Sequence, residues 1–298
     1  MSYKLRHRIP SLAVWLTVAL AIPIIVVAVS ERHFFEVEHE NESELLASLD
    51  IALGSVTLGK ADDGYLFQAE VILENDRIVP DFEYRVNGDR GRLDVELSTV
   101  KDADDNVSLP DLESVKNAKW NLYFGDEVPI DLKLELGGTA STLDFSGIPL
   151  RTLRLEVEAS QATVVFREQN PIKMDYLRIE SGVSELSIFG LGFAGADRMR
   201  FEGGMGKFLL DFSENAEALR GSVADIKIGM ASIEIRLPAD GPVLLEVPES
   251  WFCVVDVPDE YLKAGHGEYH SPDYNPASDD AFIVRVEASV GKVSFVTR

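Results

Sequence analysis

Along most of this chain apolar and polar side chains alternate. In RMRFEGGMGKFLLDF (198–212), Arg198, Arg200 and Glu202 alternate with Met199 and Phe201, and alternation resumes at Lys207 beyond Gly203, Gly204 and Gly206. A period of two puts every second side chain on one face of a β-strand. The same design recurs in IDLKLELGGTASTLDF (130–145), LRLEVEASQATVVF (153–166) and YLRIESGVSELSIF (176–189). The small-residue pairs Gly137-Gly138, Ala159-Ser160, Ser181-Gly182 and Gly203-Gly204 stand 22 residues apart. Looser copies are LLASLDIALGSVTL (45–58), DIKIGMASIEIRL (225–237) and FIVRVEASVGKVSF (282–295).

Each unit is thus an alternating run, a small-residue corner and a second alternating run. A fixed period of this length is the signature of stacked repeats. The pattern predicts an all-β fold, a β-solenoid with rungs of about 22 residues and two short strands per rung, spaced about 4.8 Å apart. Glycine, alanine and serine suit corners that leave little room for a side chain. Leu132, Leu134, Leu136, Leu186, Ile188 and Phe208 are the expected interior. A β-sandwich is the alternative, because short strands with turn signals also build one.

The β-repeat domain is expected over 45–298. Residues 31–44 read as a linker, and the section from about 60 to 127 as an irregular hairpin and loop that interrupts the stack.

The first thirty residues differ from all this. Lys4, Arg6 and Arg8 precede an uncharged apolar run from Ser11 to Val29. About 20 apolar residues suffice for a helix to cross hydrocarbon, so 1–30 is expected to be an N-terminal transmembrane helix acting as a membrane anchor, with a cleaved signal peptide as the alternative. The basic flank stays cytoplasmic under the positive-inside rule, which places the body of the protein in the extracytoplasmic cell envelope.

Charge narrows the partners. The formal net charge is −23; the three basic residues of 1–30 face no acidic ones, which leaves −26 on 31–298. Such a surface repels nucleic acid, so no nucleic-acid partner is expected. Cys253 is the single cysteine and has no disulfide partner in the chain; flanked by Trp251, Phe252, Val254 and Val255, it is expected to be a small buried apolar residue.

Three motifs have chemical readings. Gly190, Gly192 and Gly195 spell G-x-G-x-x-G, but an alternating rung follows where a dinucleotide site needs a helix, so a turn between rungs is expected. In DADDNVSLPDLE (102–113), Asp102, Asp104, Asn106 and Glu113 occupy ligand positions of a calcium loop, although Val107 stands where the tight turn wants glycine; the competing reading is a solvated acidic loop. In HGEYHSPD (266–273), His266, Glu268 and His270 share one face if extended, a candidate zinc set with Asp273 nearby, against exposed loop histidines. Trp251, Tyr261, Tyr269 and Tyr274 could stack on sugars or cap the last rung. No catalytic residue and no bound cofactor is expected.

The stretches VPIDLKLELGGTASTLDFSGIPLRTLRLEV (128–157), YLRIESGVSELSI (176–188), FEGGMGKFLLDF (201–212) and SPDYNPASDDAFIVRVEASVGKVSF (271–295) carry a resemblance. From about residue 45 onward the chain resembles the toast-rack β-repeat domains of bacterial envelope proteins, of the LiaF-like and adhesin type. The resemblance implies a non-enzymatic domain that contacts envelope proteins or surface polymers, with a link to cell-envelope stress signalling or adhesion. A polysaccharide-binding or polysaccharide-cleaving protein is the alternative.

Overall fold

A computed structural model of the protein describes residues 31–74, 78–99, 117–247 and 251–298. The N-terminal anchor or signal segment and the calcium-loop residues Asp102, Asp104, Asn106 and Glu113 lie outside the described residues.

The alternating runs are strands. They comprise β1 (Glu31–Glu38), β2 (Glu44–Lys60), β3 (Tyr65–Leu73), β4 (Ile78–Asn87), β5 (Arg90–Thr99), β6 (Lys119–Phe124), β7 (Ile130–Asp144), β8 (Leu150–Val157) and β9 (Gln161–Val165). Then come β10 (Tyr176–Phe189), β11 (Arg198–Asp211), β12 (Val223–Leu237), β13 (Val243–Glu246), β14 (Cys253–Asp256), β15 (Leu262–Gly265), β16 (Glu268–His270) and β17 (Phe282–Thr297).

The long strands run through a corner that divides each into two legs. In β10 the in-out alternation breaks at Gly182 and Val183, which are both exposed, so buried residues on either side of the corner face a shared interior. Phe201 before the corner of β11 and Phe208 after it meet edge to face with ring centroids 5.2 Å apart. Leu132, Leu134, Leu136, Leu186, Ile188 and Phe208 are all buried, as the alternation requires. The legs thus close over one continuous apolar core.

Successive rungs stack in parallel. The central order is β2, β7, then β8 with β9 as one broken rung, then β10, β11, β12 and β17. Outside β2 lies a further parallel rung made of β5 on the first leg and β6 on the second. Outside β17 lies its counterpart, β13 and β14. The rungs that begin and end the regular repeats, β2 and β17, are therefore second from the ends of the stack.

Three expectations change. The linker expected at 31–44 is a strand over its first part: Arg32 to Glu38 alternate, and β1 pairs antiparallel with β3. The section 60–127 does hold a hairpin, β4 against β5 across Asn87–Arg90, but β5 and β6 do not interrupt the stack; they extend it by a rung. The uniform spacing of 22 is also not the pairing register. Leu136 faces Val157, Val157 faces Ser181, Ser181 faces Gly203 and Gly203 faces Ile228, steps of 21, 24, 22 and 25. The connections absorb the difference. A 3-10 turn at Ala216–Leu219 lengthens the last of them, while the strands keep their lengths.

Glycine is indispensable at some corners. Gly206 has φ +142°, and a Cβ there would stand 1.8 Å from the Ser184 carbonyl oxygen of the neighbouring rung. Gly291 has φ +135° with the same contact to Ala231 at 1.9 Å.

Candidate functional site

Parallel stacking turns a residue type repeated in each unit into a row across the molecule. On the outer face of the first leg, Lys133, Arg154, Arg178 and Arg200 occupy one row and Glu135, Glu156, Glu180 and Glu202 the row two residues on. The rows are tied together within and between rungs. Arg200 holds Glu202 at 2.5 Å, Arg154 lies 3.7 Å from Glu156, and Arg178 bridges Glu180 and reaches Glu202 at 3.7 Å. On the next rung the signs invert: Asp225 faces Arg200 and Lys227 faces Glu202. Arg285 and Glu287 on β17 restore the order, with Lys227 2.8 Å from Glu287 and Arg285 3.6 Å from Asp225. Inversion relieves rows of like charge placed directly opposite each other, which destabilise a sheet.

Beside the acidic row runs an open trough of about 660 Å³. Glu156, Glu180, Glu202, Lys227 and Glu287 form its wall, and Gly182, Gly204 and Gly229 form its floor at the corner. The floor is bare for a packing reason. A Cβ on Gly204 would meet the Gly182 carbonyl oxygen at 2.6 Å, and one on Gly229 the Gly204 carbonyl oxygen at 2.8 Å. One residue beyond the floor stand Val183, Met205, Met230 and Val290, mutually in register and 44–60% exposed. The trough thus has one charged wall and a parallel apolar ridge.

The wall carboxylates are fixed in ion pairs with guanidinium and ammonium groups, so the trough presents held charge. At its N-terminal continuation, burial, with Glu135 and Glu158 adding repulsion, pushes the Asp50 carboxyl above its ordinary range. A denser cluster lies where the first leg begins. Arg151 donates to Asp131 at 3.0 Å and pairs with Glu44 at 2.7 Å, and the Thr152 hydroxyl donates to Asp131 at 2.9 Å. Burial would raise the Asp131 carboxyl, but the Arg151 and Thr152 hydrogen bonds outweigh it and hold it low.

The candidate zinc residues are not gathered. Among the described residues no group of three or more His, Cys, Asp or Glu side chains converges as a metal site. His266 sits at the turn between β15 and β16, with Gly267 at φ +67°, while Glu268 and His270 lie along β16. The His270 ring packs against Tyr274 with centroids 5.1 Å apart, and its Nδ1 lies 2.8 Å from the Ser271 carbonyl oxygen. The turn at Gly265 and Gly267 splits the extended face on which the set depended. The four aromatics do not form a platform either: Trp251 is wholly exposed, Tyr261 is buried, and Tyr269 lies beneath Lys263.

Gly190 and Gly195 bracket α1 (Leu191–Ala194), a single helical turn with left-handed glycines at both ends and Gly192 within it. A Cβ on Gly190 or Gly192 would stand 1.9 Å from a backbone carbonyl oxygen of Phe166 or Glu214, so the glycines serve the packing of connections between rungs. Cys253 is half-buried in β14, not enclosed, because β14 is an outermost strand; burial still raises its thiol pKa.

The charged rows were missed in the sequence although their signal is present. From residue 130 onward each unit carries a basic-x-acidic triplet just before its corner: KLE, RLE, RIE, RFE and RVE, with DIK at the inverted rung.

Parallel rungs bent at small-residue corners, bearing ordered outer rows, define an all-β repeat protein. The chain belongs to the toast-rack family: residues 27–189 match the N-terminal domain of toast_rack, DUF2154. No protein of curated function matches the chain. Among solved structures, a candidate cell adhesion protein from Clostridium sporogenes is 18% identical, covering 90% of this chain and 100% of its own, with a TM-score of 0.43. A candidate adhesin from Bacteroides fragilis is 11% identical over 90% of this chain and 97% of its own, with a TM-score of 0.39. A candidate lipid binding protein from Parabacteroides distasonis is 13% identical over 90% and 94%, with a TM-score of 0.31. Likeness at this level assigns no function to this chain.

Proposed function

We propose that the protein is a non-enzymatic β-solenoid module of the cell envelope, anchored in the membrane by residues 1–30 and presenting its repeat outside the cytoplasm to envelope proteins or surface polymers. The trough and its flanking rows carry this reading. They cross successive rungs without a break and offer a repeating surface to an elongated partner, as stacked repeats commonly do. The anchoring rests on the basic flank and apolar run of the sequence. A scaffold of this kind serves stress signalling or adhesion, depending on what it holds.

Binding or cleavage of a polysaccharide is the second reading, favoured by the length of the trough alone. Cleavage asks for two carboxyl groups in contrasting environments. The wall carboxylates instead repeat one environment, each set against a basic residue.

The test is crosslinked recovery of the tagged full chain from the membrane fraction, with bound proteins and glycans both identified. Recurrent capture of one membrane or envelope protein is the expected result. Capture of glycan alone, and above all of shortened glycan, would replace the scaffold by the polysaccharide reading, and recovery of the chain only from the soluble fraction would remove the anchor.

A further inference from the structure

Among the described residues four strands carry a free edge at the ends of the stack, and three of these edges are blunted. β1 exposes Arg32, Glu36 and Glu38, β4 carries Pro80 beside Asp81, Glu83 and Arg85, and β15 breaks register between Lys263 and Gly265. Charge, proline and bulges keep an edge from pairing with another chain. The fourth strand, β14, has none of these along Cys253, Val254 and Val255, and it follows Trp251, wholly exposed, and Phe252, 74% exposed. Its one charge, Asp256, is neutralised by Lys292 at 2.6 Å.

The backbone of β14 is free on the outer side. The Phe252 carbonyl accepts the Gly291 N–H at 3.0 Å, and successive residues of a strand turn their amides to opposite sides. Phe252 and Val254 therefore face β17, whereas the N–H and C=O groups of Cys253 and Val255 face away from the stack. The Val255 side chain, half-buried, pairs with buried Val293 and so points to the core. On the first leg the sheet runs two strands further, with Tyr269 and Lys263 in register with buried Leu245. The second leg stops at β14, which leaves a step two strands deep.

We propose that β14 receives one extended segment of a partner protein, added antiparallel with uncharged apolar side chains alternating toward the core. The opposite end of the stack supplies the pattern: β3 lies antiparallel on β6 with Phe67, Ala69, Val71 and Leu73 buried. Strand addition of this kind draws affinity from main-chain hydrogen bonds and specificity from alternate side chains. A lipid surface would leave the edge groups of Cys253 and Val255 unpaired. A second copy has no suitable strand to give among its described residues, since its other edges are the blunted ones and β14 against β14 matches only Cys253–Asp256. The inference rests on the scaffold reading only in taking the partner from the envelope.

The probe is a synthetic peptide of residues 62–74, which contains β3, mixed with the purified full chain under mild oxidation. Cys253 is the chain's single cysteine and serves as the reporter. Carried across the rungs, the β3 register sets Leu73 opposite Cys253 and Val71 opposite Val255. The Leu73→Cys peptide is expected to form the mixed disulfide several-fold faster than Ile72→Cys, whose thiol lies on the other face, and than Ala69→Cys, which parallel addition would favour. Unsubstituted peptide is expected to slow amide exchange at Cys253 and Val255. In the full chain Val255→Pro removes an edge N–H and no bond to β17, so it should abolish the linkage and the protection of Cys253, while Val255→Ile keeps both. Equal rates from the three peptides, no protection at β14, or a linkage indifferent to Val255→Pro overturns the proposal. A Cys253-linked dimer that forms faster than the mixed disulfide also overturns it, giving the edge to a second copy. Peptide binding uses neither membrane nor cell extract, so its result stands whatever the crosslinked recovery above returns.

Discussion

The two ends of the stack are built alike and finished differently. At the N-terminal end the added rung is covered on both legs: β4 pairs antiparallel with β5, and β3 pairs antiparallel with β6 and is itself flanked by β1. At the C-terminal end β16 and β15 cover β13, but among the described residues β14 pairs with β17 alone. The covered end packs Trp120, Phe67 and Phe124 out of solvent, whereas the uncovered one exposes Trp251, Phe252 and Val254. A parallel rung ends in unpaired amides and carbonyls, and reversing chain direction is how this protein closes that edge. Where no reversed strand follows, apolar side chains and an open edge remain.

The largest difference between the ends should appear in stability. Trp120→Ala removes the biggest fully buried side chain and is expected to cost about 3–5 kcal/mol in equilibrium urea unfolding. Val254→Lys, on the exposed edge, should stay within about 0.5 kcal/mol in the same measurement. Equal costs would mean that the two ends contribute alike and the comparison fails.

Corners between the ends come next. Gly206→Ala puts a Cβ against the Ser184 carbonyl oxygen at a strained φ, and a loss of at least about 1–3 kcal/mol is expected. Gly241, φ +107°, has no neighbouring atom within 4 Å of where a methyl group would stand, so Gly241→Ala strains the backbone alone and should cost less.

Acid then sharpens the account of the N-terminal side. Because Asp131 and Glu44 titrate below their ordinary values in the folded protein, they add stability above the unfolded carboxyl range that is lost as pH falls through the folded values. Arg151→Met should therefore lower stability near neutral pH by about 1–3 kcal/mol, with the deficit shrinking on acidification. The smallest effect has the opposite sign. Asp50 titrates high in the folded state, so its ionisation opposes folding as pH rises past the unfolded value. Asp50→Asn should give a small gain at neutral pH that vanishes in acid.

Strand identity was legible because burial on one face imposes a period of two, and the corners because close backbone approach selects small residues. Pairing order was not. Alternation says which face a side chain occupies but never which strand lies beside it, so nothing in FIVRVEASVGKVSF reveals that β17 is placed between β12 and a rung synthesised before it. The trough followed from the same repeats once they were stacked. The spacing of 22 misled because small residues at a corner need only be near one another, whereas register is fixed residue by residue. The zinc set misled because three side chains on an extended face are separated as soon as two neighbouring glycines make a turn.

The position of β17 bears on how the molecule is made. This strand leaves the ribosome after both of its partners, yet its slot lies between them, so the far rung of β13 and β14 has no neighbour to lean on until β17 has emerged. Removing Phe282–Thr297 would not trim the stack but open a gap in it, and nascent chains stalled before that strand should be the form that cellular proteases recognise.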